Sequence, residues 1–161
     1  MAKLNDIPSW SKGVTRIVIA GAGAFALFKL YKYLSTLKEQ EGQKAELTTT
    51  EDQLKKLKEQ GKSAGITRAQ VDQIANKLQT AFNGYGTDYN TIYSVLIQIK
   101  NEVDLLNVRK AYGIRKVNSG SFNFADDFSG TLDQTMVEEL SQSDIQKINL
   151  MLAKKGISNR F

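Results

Sequence analysis

The sequence has no cysteine and no histidine. Without cysteine, neither a disulfide framework nor a thiolate metal site can form. Without histidine, the commonest general base, the commonest metal ligand and the Ser-His and Cys-His nucleophile pairs are all excluded. Chemistry would have to rest on carboxylates, lysines, hydroxyls or a cofactor, and no catalytic set of those residues stands out. The chain reads as non-enzymatic, with no cofactor expected. Long apolar runs are also scarce. There is one, at residues 17–28, and no β-rich run follows it.

The net charge of +5 is unevenly spread. Residues 1–34 hold five Lys/Arg against a single acid, whereas residues 35–61 are close to balanced. The basic excess therefore flanks the apolar run, where it suits anionic headgroups better than nucleic acid.

That run supports two opposed readings. In the first, residues 16–20 form a strand and Gly21-x-Gly23-x-x-Ala26 is a dinucleotide turn, its glycines bringing backbone N–H groups to a pyrophosphate. The pattern needs a βαβ context. Glu39 and Glu41, at the distance expected for the ribose-binding acid, follow no strand. The second reading is an N-terminal transmembrane helix over residues 1–34. The uncharged core (Ile17, Val18, Ile19 through Phe25, Leu27 and Phe28) is about 18 Å long as a helix, against a hydrocarbon layer of about 30 Å. Arg16 and Lys29 would have to snorkel outward to extend it. Trp10 and the pair Tyr31 and Tyr33 then stand about 32 Å apart, close to the spacing of two interfacial aromatic belts. A cleaved signal peptide fits less well, because apolar residues run on through its cleavage site. The membrane anchor is the preferred expectation.

Residues 35–65 are polar and charged and read as a helical linker. Thr50-Glu51-Asp52-Gln53 has the capping-box pattern, Gly61 is a stop, and Leu54 and Leu57 give a narrow apolar stripe. Residues 66–161 read as a small all-α domain of four to five helices. Thr67-Arg68-Ala69-Gln70 is a second capping box, ahead of Val71, Ile74, Ala75, Leu78, Ala81 and Phe82 at helical spacing. Thr87 or Asp88 opens a helix carrying Ile92, Val95, Leu96 and Ile99. Asn101 caps one that ends before Gly113. Ser143-Asp144-Ile145-Gln146 opens the last, which Lys155 and Gly156 close. Phe122, Phe124, Phe128 and Leu132 suggest a further short helix or a packed turn.

Ala81-Phe82-Asn83-Gly84-Tyr85-Gly86-Thr87-Asp88, then Ile92, Leu96, Ala111-Tyr112-Gly113, Asp126-Asp127-Phe128 and Glu139-Leu140, resembles one annexin repeat over about residues 68–155. The Gly-Tyr-Gly-Thr-Asp stretch is its most specific part. The resemblance implies a five-helix unit and a calcium site made by carbonyls of Asn83, Gly84 and Gly86 with a carboxylate near Asp126, which is sound oxygen-only chemistry. The chain departs from the pattern in being longer between Tyr112 and Asp126. If Asp126-Asp127 matches the paired acids of the fourth annexin helix, the ligand position falls at Thr131, which has no carboxylate. Annexins also use several repeats, and there is one here. Read from its own residues, 84–88 is a tight helix–helix loop with an N-cap.

Arg109, Lys110, Arg115 and Lys116 gather around Tyr112 as a solvated helix end. Asp126/Asp127 and Glu138/Glu139 are neighbours about 100° apart on a helix and make no acid–base couple. The expectation is a non-enzymatic, single-pass membrane protein with a polar stalk and a helical interaction domain. Its partners would be a lipid bilayer, other proteins of a membrane assembly such as a bacterial envelope complex or a membrane-containing virion, and possibly a second copy of itself. The alternatives are a calcium- or lipid-binding module and a dinucleotide enzyme.

Overall fold

The computed structural model describes residues 9–83, 86–118 and 128–161, with the side chains of residues 9–30 and 32 outside that description. The elements are α1 (Ser9–Glu59), α2 (Arg68–Phe82), α3 (Tyr89–Leu96), α4 (Glu102–Tyr112), β1 (Arg115–Val117), β2 (Phe128–Gly130), α5 (Leu132–Glu139) and α6 (Gln142–Lys154). The chain divides into two compact units, residues 1–42 and 43–161.

In the first unit, the described portion is α1 up to Gly42. Among the described residues, no helix is long and apolar enough to cross a membrane. This corrects the expected transmembrane helix over residues 1–34. The bilayer as partner, the single-pass membrane localisation and the anchored component of a membrane assembly are withdrawn with it. The physical reason lies in length and charge. The uncharged run spans about 18 Å against about 30 Å of hydrocarbon, and α1 continues from it without a break into strongly charged sequence. Of the residues assigned to the anchor, Tyr31 and Tyr33 are exposed. The side chains of Trp10, Arg16, Ile17, Val18, Ile19, Phe25, Leu27, Phe28 and Lys29 lie outside the described residues. The dinucleotide alternative is corrected too. Gly21, Gly23 and Ala26 fall inside α1 rather than between a strand and a helix, so they cannot form a phosphate turn.

The second unit is built around α2. Thr67 caps it, with its hydroxyl accepting from the Gln70 N–H while the Gln70 side chain accepts from the Thr67 N–H at 2.9 Å, a reciprocal capping box. Its apolar face, Val71 through Phe82, is buried against α3 and α4. Ile92, Leu96, Leu105 and Tyr112 complete that side of the core, and Met136, Ile148 and Leu152 bring in α5 and α6. The Phe82 and Tyr112 rings meet edge to face at 6.3 Å, a favoured aromatic geometry.

Two regions depart from their sequence signals. The region expected to hold a short helix or packed turn is instead an antiparallel strand pair followed by a helix: Val117 faces Phe128, Arg115 faces Gly130, and Leu132 opens α5 behind a capping box at Thr131. Phe122 and Phe124 lie outside the described residues. α6 begins two residues earlier than its Ser143 signal, because the Ser141 side chain accepts from the Asp144 N–H and takes the cap.

The residues read as a linker divide at Gly42. From Gln43 onward they belong to the second unit, where Leu54, Val103 and Leu106 form a small second core with Leu57 against it. Polar bonds do the rest. Gln43 donates to the Ser129 carbonyl at 2.5 Å, and Lys110 pairs with Glu51 at 2.8 Å.

Candidate functional site

Three helix ends meet beside that second core. α1 closes with a Schellman turn. The N–H of Lys62 reaches the Leu57 carbonyl at 3.0 Å, the N–H of Gly61 reaches Lys58 at 2.9 Å, and Gly61 sits at φ +75, which only glycine adopts cheaply. α6 closes in the same way. Ile157 bonds back to Leu152 and Gly156 to Ala153, with Gly156 at φ +74. Between them stands the N-terminus of α4, capped by Asn101, whose side chain accepts from the Asp104 N–H at 3.0 Å.

Carboxylates fix the connecting segments. Asp104 is fully buried, and its two oxygens accept the N–H groups of Gly65 at 2.7 Å, Ile66 at 3.2 Å and Lys100 at 3.0 Å. Three charge-assisted bonds to one carboxylate fasten the α1–α2 loop onto the start of α4. Gly65 comes so close that a Cβ there would lie 3.1 Å from Asn101 Nδ2 and 3.1 Å from Asp104 Oδ2. Glu102 serves the tail after α6, accepting the N–H groups of Ser158 at 2.7 Å and Asn159 at 2.9 Å and the Asn159 side chain.

The result is a cleft of about 700 Å³, within the size range of ligand sites. Leu57, Val103 and Leu106 supply its apolar floor, while Gln53, Lys56, Gln60 and Lys62 stand along its α1 side. Lys155 also borders it, but its ammonium is already committed, donating to the carbonyls of Ile97 and Ile99, the latter at 2.7 Å. Burial pushes the Lys155 ammonium below its ordinary value. Both Glu102 oxygens are likewise taken. The ammonium groups of Lys56 and Lys62, by contrast, are exposed and make no hydrogen bond or ion pair among the described residues. The cleft thus offers two unengaged cations over an apolar floor.

A second polar cluster fastens α1 to the far side of the unit. Arg109 is 7% exposed, donates from Nη2 to Asp133 at 2.5 Å and to the Arg160 carbonyl at 3.0 Å, and stacks over the Phe161 ring at 5.1 Å. Its Nε has no partner among the described residues. Glu46 accepts from the Thr131 hydroxyl at 2.8 Å. Burial holds the Glu46 carboxyl above its ordinary value; the Thr131 bond opposes this and the nearby Asp133 adds to it. Asp133 pairs with the Arg109 guanidinium, and Glu46 lies close enough to both to feel their charges. Neither carboxylate lines the 700 Å³ cleft, however, and the geometry is that of a clip joining α1, α4 and α5.

The residues picked from the sequence fall elsewhere. Gly86 is described, with φ +84, beside Asp88, which caps α3 by accepting from the Thr91 N–H at 3.0 Å. Gly84 and Asp126 lie outside the described residues. Thr131 caps α5 and spends its hydroxyl on Glu46. No group of three or more acidic side chains that could hold a metal ion occurs among the described residues. The basic patch around Tyr112 is mostly an internal one. Arg109 is bound to Asp133, and Arg115 donates to the carbonyls of Tyr112 at 2.8 Å, Ala75 at 3.2 Å and Ala111 at 3.1 Å. The cleft itself was missed. Its signal was Leu54 and Leu57 one turn apart just ahead of Gly61, an apolar stripe on a helix that read as solvated. No family model, curated protein or solved structure matches the chain.

Proposed function

We propose that residues 43–161 form a non-enzymatic recognition module that holds a partner in the cleft between the ends of α1 and α6 and the start of α4. The observation that carries this reading is the rigid frame of the cleft. Both helix ends are closed by Schellman turns, and the connecting loop and tail are tied to α4 by Asp104 and Glu102. Such a frame loses little entropy on binding, and preorganisation of this kind converts directly into affinity. The reading as a non-enzyme rests on the cleft's chemistry. Its one carboxylate, Glu102, is consumed by the backbone N–H groups of Ser158 and Asn159 and the Asn159 amide, and its lysines, amides and the hydroxyls of Ser63 and Ser158 have no free carboxylate beside them to serve as the base that activates a nucleophile.

The test is selection of binders to the full chain from a random peptide library, followed by a plug in the cleft. Gln60→Trp places a large side chain at an exposed position of the cleft wall and leaves the core alone. Selected peptides should bind the native chain and lose at least about tenfold in affinity against Gln60→Trp, a loss of about 1.4 kcal/mol. If every selected peptide binds the two proteins equally, the cleft is not the recognition site.

A further inference from the structure

We infer that the occupant of this cleft is an acidic peptide segment carrying apolar side chains between its carboxylates. The inference rests on the cleft reading above and adds the chemistry of the partner.

Charge is the first argument. Lys56, Lys62 and Lys155 border the cleft with Glu102 as the acid, an excess of two positive charges. Helix ends modify that figure. The C-termini of α1 and α6 together present roughly one negative charge, and the N-terminus of α4 returns about half a positive one. The cleft remains positive by about one and a half charges. Neutralising helix ends therefore accounts for part of the lysine content and leaves the rest over. Lys155 is the cation spent on helix carbonyls, those at the end of α3. Lys56 and Lys62 are the ones that remain for a partner.

The floor is the second argument. Leu57 is half-buried, with Val103 and Leu106 behind it, so the surface between the two lysines is apolar and would be covered by an aliphatic side chain. The third argument is the pair of amides. The Gln60 side chain makes no hydrogen bond among the described residues, and the Gln53 side chain uses only its oxygen, on Asn159 at 3.4 Å. Both amides line the cleft, and amide side chains both donate and accept, as the backbone groups of a bound chain require. Nucleic acid fits less well, since among the described residues no aromatic side chain lines the cleft for a base to stack on.

The test compares blocked peptides of equal length on the full chain, by calorimetry at low and moderate salt. The sequence Glu-Leu-Asp-Leu-Glu is measured beside its amide counterpart Gln-Leu-Asn-Leu-Gln. The acidic peptide should bind about tenfold tighter than the amide one, and the preference should shrink as salt rises. Lys56→Gln and Lys62→Gln, both at exposed positions, should each cost it about three- to fivefold and leave the amide peptide unchanged. Equal binding of the two peptides, with both still sensitive to Gln60→Trp, overturns the acidic partner while the cleft reading stands. Binding of neither peptide, together with no cleft-dependent binder from the library, overturns both. Tighter capture of oligothymidylate, or of phosphatidylglycerol vesicles, through the same two lysines also overturns the peptide.

Discussion

Helix α1 has two characters on either side of Gly42. From residue 33 to residue 42 every side chain is exposed, including Tyr33, Leu34 and Leu37. From residue 43 onward the helix is no more apolar in sequence, yet Gln43, Thr50 and Leu54 are buried. Apolar content therefore does not separate the exposed stretch from the one with buried residues. The exposed stretch has three large apolar side chains within five residues. The docked part has Leu54 and Leu57 and a ladder of polar partners: Gln43 to Ser129, Glu46 to Thr131, Glu51 to Lys110 and Gln53 to Asn159. A hydrophilic helix can be held by many satisfied hydrogen bonds around one small apolar contact, since a buried polar group costs little once it is bonded.

The largest break in this contrast is expected where α1 hands over to the domain. Asp104→Ala removes the acceptor for three backbone N–H groups in a fully buried position. Each orphaned donor costs about 1–3 kcal/mol, so a total loss of at least about 3 kcal/mol is expected in urea unfolding of the full chain. Hydrogen exchange should localise the loosening to residues 63–66 and the start of α4. A loss below about 1 kcal/mol would mean that the loop is held by other contacts.

A smaller effect sharpens the comparison directly. Leu54 is 5% exposed, in contact with Val103 and Leu106, and Leu37 is 38% exposed. Leu54→Ala should cost about 2–4 kcal/mol, the usual range for a buried leucine, and Leu37→Ala less than about 0.5 kcal/mol. The pair of unfolding midpoints checks this, with equal midpoints contradicting it.

Much of the second unit was legible in the sequence because its signals are local. The capping boxes at Thr67 and Thr131, the glycines after α1 and α6 and the spacing from Val71 to Phe82 each act within one helix. The strand pair was not legible, since Phe128 pairs with Val117 across a long connection and only tertiary contact makes either residue extended. The cleft was hidden for a related reason. It is made by three helix ends that are 40 or more residues apart in sequence, and nothing near Lys56 or Lys62 marks them as facing the start of α4. Arg109 shows the converse error. Its charge suggested solvent, but its position opposite Asp133 is a fact about α5 that the sequence of α4 does not contain.

The smallest expected effect concerns how the docked half of α1 responds to pH. Burial raises the Glu46 carboxyl above the ordinary value of 4.5, with Asp133 adding to the shift and Thr131 and Arg109 opposing it. An acid whose folded value is raised holds its proton more tightly in the folded chain than in the unfolded one. Its contribution to stability is then fully present below 4.5 and is lost as pH rises through the folded value. Glu46→Gln keeps an oxygen for the Thr131 hydroxyl and removes the charge that faces Asp133. The variant should therefore match the native chain in acid, near pH 4.5, and gain on it toward neutral pH. Because the group retains contact with solvent, the gain should stay under about 1 kcal/mol. Comparing urea midpoints of the two proteins from pH 4 to pH 7.5 isolates this contribution from the other carboxylates, which titrate in both. A gap that widens toward low pH would place Glu46 as a charged partner of Arg109 rather than as a carboxyl whose proton is held by burial.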